Sequence, residues 1–372
     1  MTSRTALRKE LKGAAKELTP FEKALLSAMA QDPLRSPESL SRITGVSTGC
    51  AMRNRRRLRE EGVWAPGYDL NPSHVDLGPL AACWARLAPG ASLDRFAPLL
   101  ANALREAAVT GLFMLEGEVV VGLISGAGLD ALARLEGVLH AADREVVHLE
   151  FAPFGRTPGF AFVPIDYRGV IGRVPRPAAA RTSTGQGRRG ALEAAQLRRR
   201  LKPTEVAVGR DLLLHGGATV DEGAERLGIS RSSFAHSKSS LLQAGVLRPC
   251  VRLHLPAIGF RFLLVTTRHH RPIRGHLAHA KTLNVGVSAP PLSLLLSPTR
   301  GFVVRPYRDL ESAREQDRRF LAESQALDLA GPPRSAIFSF AGLRLVVHCA
   351  AGGLQDGWIA GLGSTPMPTE SG

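Results

Sequence analysis

The first sixty residues place apolar side chains at helical spacing. Within residues 18–63, one predicted helix face is apolar at four positions: Phe21, Ala24, Leu25 and Ala28. Thr19-Pro20 is typical of a helix start, because a hydroxyl caps the first turn and Pro fits its backbone. Ser36-Pro37 predicts a second start, and a third helix is predicted over about 48–61, before Gly62.

A sharp turn is predicted at Gly45-Val46-Ser47, between the second and third helices. Glycine tolerates a positive φ, the valine can pack between the helices, and the serine can cap the third helix. Two short helices, a turn and a third helix make a helix-turn-helix. Val63-Trp64 then begins an extended segment, the expected wing.

Residues 79–154 alternate between strand and helix patterns. Strands are predicted at 80–87, 107–114, 119–124 and 145–151, and helices at 93–104 and 129–139. The order βαββαβ is ferredoxin-like, with both helices on one face of an antiparallel sheet. The open face is then available for pairing with another copy.

The chain also carries an internal repeat. Residues 201–246 align with 18–63 without a gap at an offset of 183, and Gly228-Ile229-Ser230 repeats the turn. Beyond it the pattern is less regular. Strands are predicted at 260–267, 292–297, 301–305 and 337–340, with an extra strand at 343–348, a helix at 310–327 and no clear match over 269–291.

These patterns predict an α+β protein of two tandem units, each a winged helix-turn-helix followed by a ferredoxin-like βαββαβ domain. The predicted boundaries are 1–17 for a basic N-terminal arm, 18–72 and 73–160 for the first helix-turn-helix and sheet domain, 161–200 for a basic flexible linker, 201–255 and 256–350 for the second helix-turn-helix and a degenerate sheet domain, and 351–372 for a C-terminal tail.

The formal net charge of +15 is unevenly distributed. Residues 1–60 hold 13 Lys/Arg against 6 Asp/Glu, and residues 165–202 hold 10 against 2. Residues 73–163 hold only 6 against 10. Two basic segments around an acidic domain are typical of a protein that binds a polyanion, although arginine-rich composition is also compatible with general solubility.

The third predicted helix carries five arginines within residues 53–59. In a helix-turn-helix this helix enters the major groove of duplex DNA. The candidate base contacts are Thr48, Arg53 and Asn54, and the candidate phosphate contacts are Arg55, Arg56, Arg57 and Arg59. The alternative is a solvated helix face.

The equivalent helix of the second unit has much less charge. Its candidate DNA contacts are Arg231, Ser232, Ser233, His236 and Lys238. Residues 203–255 carry 6 Lys/Arg against 5 Asp/Glu. This unit is expected either to bind DNA weakly or to serve as a dimerisation module, and the sequence favours neither.

Other classes of function lack sequence support. The four cysteines stand far apart, which argues against a zinc site and a disulfide framework, and the histidines at 269, 270, 276 and 279 lack companion ligands. No metal, cofactor or catalytic residue is expected. The N-terminus has no signal-peptide pattern and no apolar run is long enough for a membrane span, so a cytoplasmic, DNA-associated protein is expected.

The pattern resembles the Lrp/AsnC (feast/famine) transcriptional regulators. The resemblance is carried by Gly45-Val46-Ser47, the arginine-rich helix through Leu58, residues 60–63, Leu77-Gly78 and Val109-Thr110-Gly111. It implies binding to double-stranded DNA, a small-molecule effector near a dimer interface, and either a homodimer or an intramolecular pseudo-dimer. The apolar residues 112–115 depart from the family's effector region, so no effector site is assigned.

Two alternatives share this architecture. Siroheme decarboxylases also resemble Lrp/AsnC proteins, but residues 107–116 supply none of the His, Tyr and Arg that a tetrapyrrole site requires. The other is a chromatin-like protein that coats DNA without sequence preference, which the basic arm and linker favour.

Overall fold

The computed structural model describes residues 17–70, 80–126, 129–142, 146–155, 161–163, 201–270, 293–296, 300–325, 329–348 and 354. It confirms the predicted α+β class, with winged-helix units and ferredoxin-like sheet domains. The predicted basic arm up to residue 16, most of the predicted linker, the segment 271–292 and the predicted tail except Leu354 lie outside the described residues.

The elements of the first half are α1 (Pro20–Gln31), α2 (Pro37–Thr44), α3 (Thr48–Glu60), β1 (Trp64–Leu70), β2 (Leu80–Leu87), α4 (Leu93–Glu106), β3 (Val109–Glu116), β4 (Val119–Gly126), α5 (Leu129–Ala142), β5 (Val146–Gly155) and β6 (Ala161–Val163). Those of the second half are α6 (Pro203–Leu214), α7 (Val220–Leu227), α8 (Arg231–Gln243), β7 (Leu247–Leu253), β8 (Phe262–His270), β9 (Ser293–Leu296), β10 (Arg300–Tyr307), α9 (Leu310–Gln325), β11 (Leu329–Ser339) and β12 (Arg344–His348).

The three helices and one strand at residues 20–70 are here called the first unit, and those at residues 203–253 the second unit. Every element of the second unit begins and ends at the repeat offset from its counterpart in the first. Gly45 and Gly228 end α2 and α7 with φ of 71° and 63°, a left-handed backbone that glycine adopts without strain. The units therefore share one backbone plan.

The interiors of the two units differ in chemistry. Asp211 of α6 is buried and accepts two hydrogen bonds from Arg226 of α7, at 2.8 and 2.7 Å. The first unit has Ala28 and Ile43 at the corresponding positions; Ala28 is buried in the apolar core and Ile43 packs against it. An ion pair thus occupies a place that apolar side chains fill in the first unit.

The two units are joined by their strands. The extended segment predicted as a wing forms β1, and β1 pairs antiparallel with β7 along its whole length, from Trp64 opposite Leu253 to Leu70 opposite Leu247. Helix α6 packs against β1, and α1 packs against β7. Gly216 lies so close to Gly67 that a β-carbon at Gly216 would stand 2.5 Å from the Cα of Gly67. Each predicted wing therefore contributes one strand to a ribbon between the units.

Each sheet domain has the ferredoxin-like strand order. In the first, the order is β3-β4-β2-β5, with α4 and α5 on one face. In the second, the order is β9-β10-β8-β11, with α9 against the sheet. The second domain was predicted to be degenerate, but its four strands keep the antiparallel arrangement of the first.

A fifth strand joins each sheet from the other half of the chain. Strand β12 pairs with β3 at the edge of the first sheet, and β6 pairs with β9 at the edge of the second. The predicted linker boundary at residue 161 is therefore wrong, because Ala161–Val163 form a strand of the second sheet. A strand this short leaves no readable period, so the sequence pattern did not reveal it.

The open faces of the two sheets share one core within the chain. Trp84, Leu112 and Met114 of the first sheet belong to the same buried cluster as Leu263 and Phe302 of the second. That cluster also extends into both helical units. The open face that the sequence left available for another copy is thus covered by the second half of the same chain.

Candidate nucleic-acid interface

Helix α3 is held by its first turn and by its buried side. Ser47 caps the helix, and its side chain accepts a hydrogen bond from the amide of Cys50 at 3.3 Å. Ser41 Oγ donates to the carbonyl of Val46 at 2.5 Å, which fixes the turn before the helix. Ala51 and Leu58 face the core. Met52, Arg53 and Arg56 lie on its exposed side.

Among the described residues, two of the five arginines are exposed and contact neither a buried group nor the second unit. Arg53 is exposed. Arg56 is 82% exposed at its side chain and pairs with the exposed Glu60 at 2.7 Å. An exposed pair one helical turn apart contributes little stability, so Arg56 can exchange Glu60 for a phosphate at little cost. These two residues best fit a DNA-contact role.

Arg57 and Asn54 are tied to the protein itself. Arg57 Nη2 lies 2.5 Å from Oε1 of the buried Glu22 and donates to Asn54 Oδ1 at 2.8 Å. The amide of Asn54 also donates to the carbonyl of Cys50 at 2.9 Å. Both ends of the Asn54 side chain are therefore engaged within the helix, where the sequence predicted a base contact.

Arg55 lies against strand β1. Its guanidinium stands 5.5 Å from the centre of the Trp64 ring, and the Trp64 indole N–H donates to the Arg55 carbonyl at 3.0 Å. Burial lowers the pKa of Arg55, with the charge of Arg59 adding to the effect. Arg55 thus fixes the helix to the ribbon, whereas the sequence predicted a phosphate contact.

Arg59 faces the second unit. A β-carbon added at Gly217, in the turn before α7, would stand 3.7 Å from Arg59 Nη2. Hydrogen bonds from Thr219 lower the pKa of Glu222 in α7, and the positive charge of Arg59 lowers it further. Arg59 therefore contributes to the junction between the units while remaining exposed. The last residue predicted on this helix, Thr48, is half-buried in its first turn.

Helix α8 presents a less charged surface. Arg231 pairs with Asp221 at 3.1 Å, with both side chains largely exposed. Ser233 and Ser232 lie beside the capping Ser230, with Oγ–Oγ distances of 2.8 and 3.1 Å. His236 is exposed.

Lys238 of α8 contacts the other unit, since its Nζ stands 5.5 Å from the centre of the Tyr68 ring of β1. In the repeat, Lys238 is the counterpart of Arg55, so equivalent positions of the two helices each place a cation against an aromatic ring of the same strand. A cation over an aromatic face is stabilising. Sequence reasoning missed this pairing because the aromatic partners belong to a strand that only the fold brings near.

The centre of the ribbon contains a polar cluster. Arg252 Nη2 donates to the carbonyls of Leu213 at 2.5 Å and Tyr68 at 3.2 Å. Burial raises the pKa of Asp69, while Cys250 and the charges of Arg252 and Arg248 act in the opposite direction. Burial also raises the pKa of the Cys250 thiol.

A second polar layer lies inside the second sheet domain. Arg268 is buried, stacks on Phe320 at 4.4 Å and donates to Ser324 Oγ at 2.9 Å. Arg305 and Tyr307 are buried on the same sheet face, and burial raises the pKa of Tyr307 to about 12. The sequence signal for this layer is the series Leu264, Thr266 and Arg268 along β8. Because alternate residues of a strand share one face, Arg268 lies on the same buried face as Leu264.

Among the described residues, no cluster of three or more His, Cys, Asp or Glu side chains could hold a metal ion. The described helices include none with the length and apolar character of a membrane span.

Comparisons with known proteins give structural matches only. No protein-family model and no curated protein matches the chain. The siroheme decarboxylase NirDL is 15% identical, with a TM-score of 0.45 over 92% of this chain and 98% of its own. A Neisseria meningitidis transcriptional regulator in complex with L-Met is 18% identical, with a TM-score of 0.29 over 37% of this chain and 88% of its own.

A third match is a Pyrococcus furiosus transcriptional regulatory protein of the AsnC family. It is 16% identical, with a TM-score of 0.30 over 37% of this chain and 90% of its own. At these values the similarities assign neither a function nor a ligand, and the architecture rests on the geometry of the chain itself.

Proposed function

We propose that this chain is a DNA-binding transcriptional regulator of the Lrp/AsnC type, built by tandem duplication, that binds duplex DNA through α3. The observation that carries the proposal is the exposed pair Arg53 and Arg56 on a helix whose Arg55 and Arg57 are fixed by the protein. An arginine on the third helix of a helix-turn-helix pairs with guanine edges or with phosphate.

The inward-facing contacts support the same proposal. Glu22 holds Arg57, and Trp64 holds Arg55, so α3 is anchored on both sides of its exposed face. A rigid support for the contacting side chains lowers the entropy lost on binding. The second unit completes an intramolecular pseudo-dimer through the ribbon. A small effector remains a prediction of the family resemblance, with no site assigned.

The test is the affinity of the full chain for duplex DNA as a function of salt. Arg53→Ala combined with Arg56→Ala should reduce the steepness of log K against log salt by about 0.9, which is the contribution of one phosphate contact, at Arg56. The same variant should weaken sequence preference, because Arg53 is the proposed base contact; a reduction of about 1.8 with unchanged preference would instead assign both arginines to phosphate.

A matched control is available on α9. Arg318 and Arg319 are exposed and pair with exposed glutamates, so their replacement by Ala removes the same charge from a surface remote from α3 in sequence. We expect this control to leave DNA affinity nearly unchanged. Equal losses for both double variants would contradict a DNA interface at α3 and would favour a general charge effect.

The chromatin-like alternative makes a different prediction. A coating protein binds unrelated duplexes equally, whereas a regulator binds discrete sites more tightly. A genome-wide occupancy map of the full chain distinguishes the two, because discrete peaks support the regulator and uniform coverage supports the coat.

A second candidate function is an enzyme similar to siroheme decarboxylase. The observation that favours it is the buried layer of Arg268, Arg305 and Tyr307, which supplies the arginine and tyrosine that residues 107–116 lack. Arg268 already donates to Ser324 and Glu323 within the domain, so the layer supports this candidate through its residue types alone. Incubation of the purified chain with siroheme, followed by its absorption spectrum, tests this candidate, and an unchanged spectrum would count against it.

A further inference from the structure

The register of the ribbon defines a two-fold relation between the units. Gly67 of β1 lies opposite Cys250 of β7, and Cys250 is also the counterpart of Gly67 in the repeat. The central pair of the ribbon therefore consists of equivalent residues. An antiparallel pair centred on equivalent residues is related by a two-fold axis normal to the ribbon, as in an isologous dimer.

Helices α3 and α8, the proposed DNA-contacting helices, follow the same two-fold relation. Ser47 and Ser230 cap α3 and α8 through the same contact, to the amide three positions later. The two helices have the same length, and each ends at the same short distance before the strand that follows it. The backbones of α3 and α8 are thus equivalent. Because the two-fold axis relates the helices, they point in opposite directions across it.

The ribbon also sets the distance between the helices. The strand starts at Trp64 and Leu247 lie at opposite ends of the ribbon, about 20 Å apart for six residue steps of about 3.3 Å. Helices of this length extend about 20 Å, so each midpoint lies about 10 Å from the helix end, and three further residues join that end to the strand. The roughly 34 Å that separates major-groove faces one DNA turn apart is therefore within the reach of the two helix midpoints.

The exposed side chains of the two helices differ at equivalent positions. Where the first unit presents Arg53 and Arg56, the second presents His236 and Ser239. Five pairs of exposed residues are unlike: Gly49 and Ser232, Met52 and Ala235, Arg53 and His236, Arg56 and Ser239, Glu60 and Gln243. A homodimer repeats one set of side chains and therefore binds a palindrome. Here the backbone is symmetric and the contacting chemistry is not.

We propose that one chain binds a non-palindromic duplex site, composed of two unlike half-sites in inverted orientation about one helical turn apart. The first half-site is contacted by α3 and the second by α8. The inference rests on the proposed function, and it adds the form of the DNA site and a stoichiometry of one chain per site. Arginine favours guanine, so the first half-site contains guanine opposite Arg53.

The experiment is a selection of bound sequences from a random duplex library by the full chain. We expect two unlike blocks with centres about 10 base pairs apart, and sedimentation of the selected duplex with the protein should give one chain per duplex. Arg53→Ala should lower the enrichment of the first block about tenfold or more, while the second block is retained.

The complementary variant is Ser232→Ala combined with His236→Ala, which should weaken the second block alone. A palindromic motif with two chains per duplex would overturn the inference, and so would a single block unaffected by the α8 variant. In both cases duplex binding itself would still stand. A complete failure to retain duplexes would instead overturn the proposed function, so the two failures are distinguishable.

Discussion

The contact between Arg57 and Glu22 gives one arginine of α3 a structural role that a charge count does not reveal. Glu22 is 2% exposed and accepts hydrogen bonds from Arg57 Nη2 at 2.5 Å and from the amide of Thr19 at 2.8 Å. Replacing Arg57 by Ala removes a charged hydrogen-bond donor from this buried carboxylate. We therefore expect Arg57→Ala to destabilise the first unit.

The structure sets the size of the effect. A hydrogen bond to a charged group contributes about 1.5–3 kcal/mol. The Arg57 side chain is 51% exposed, so water screens part of the attraction, and Glu22 keeps its contact with Thr19. The expected loss in free energy of unfolding is therefore about 1–2 kcal/mol.

Two matched variants isolate the contact. Arg56→Ala removes the same charge from the same helix, but its pair with Glu60 is exposed, so the expected change is within about 0.5 kcal/mol. The second unit supplies the other variant, since Ser240 occupies the position equivalent to Arg57 and donates to Glu205 at 2.9 Å. Arg57→Ser should therefore retain part of the stability that Arg57→Ala loses.

The assay is native-state hydrogen exchange of the full chain, which reports local opening free energies of α1 and α3. The expected order of protection is wild type and Arg56→Ala highest, Arg57→Ser intermediate and Arg57→Ala lowest. If Arg57→Ala and Arg56→Ala exchange alike, the contact with Glu22 contributes nothing and Arg57 is a surface arginine.

Three further predictions concern stability. Gly49→Ala should stabilise α3 by about 1 kcal/mol, since a β-carbon there meets only a flexible side chain at 3.7 Å, and a lowered thermal midpoint would contradict this. Asp211→Ala should lower the free energy of unfolding, measured in urea, by about 2 kcal/mol. Adding Arg226→Ile should restore part of this loss, because it recreates the apolar pair of the first unit. A double variant less stable than the single variant would refute that account. Burial raises the pKa of Asp69, so its ionised carboxylate destabilises the folded chain at pH values above the ordinary pKa of an aspartate. At lower pH the carboxyl is protonated and this penalty is absent. Asp69→Asn should therefore be more stabilising at pH 7 than at pH 4, and the opposite order in thermal unfolding would contradict the assignment.

The local elements were predictable because their signals are local. Thr19-Pro20 and Gly45 determine where helices begin and end through caps and positive φ, which depend on a few adjacent residues. The repeat recurs at one constant offset in every helix and strand boundary of the two units. The βαββαβ order of the first sheet domain likewise followed from apolar periodicity.

The candidate site was only partly predictable. Arg53 and Arg56 are exposed as expected, but Asn54, Arg55 and Arg57 contact the protein. Sequence spacing gives the face of a helix, whereas the partner of each side chain depends on what packs beside that face. Glu22 and Arg57 lie on different helices, so no helical period relates their positions.

The sequence by itself determined the class, the matching helix boundaries of the two units and the arginine-rich helix, because these follow from residue type and short-range spacing. Only the tertiary structure decided that the predicted wings pair with each other, that β6 and β12 join the sheet of the other half, and that the open sheet faces share one core. Those contacts join residues that are far apart in the chain, and unpaired strand edges and apolar faces accept any complementary partner. The choice among partners is made by the folded chain as a whole.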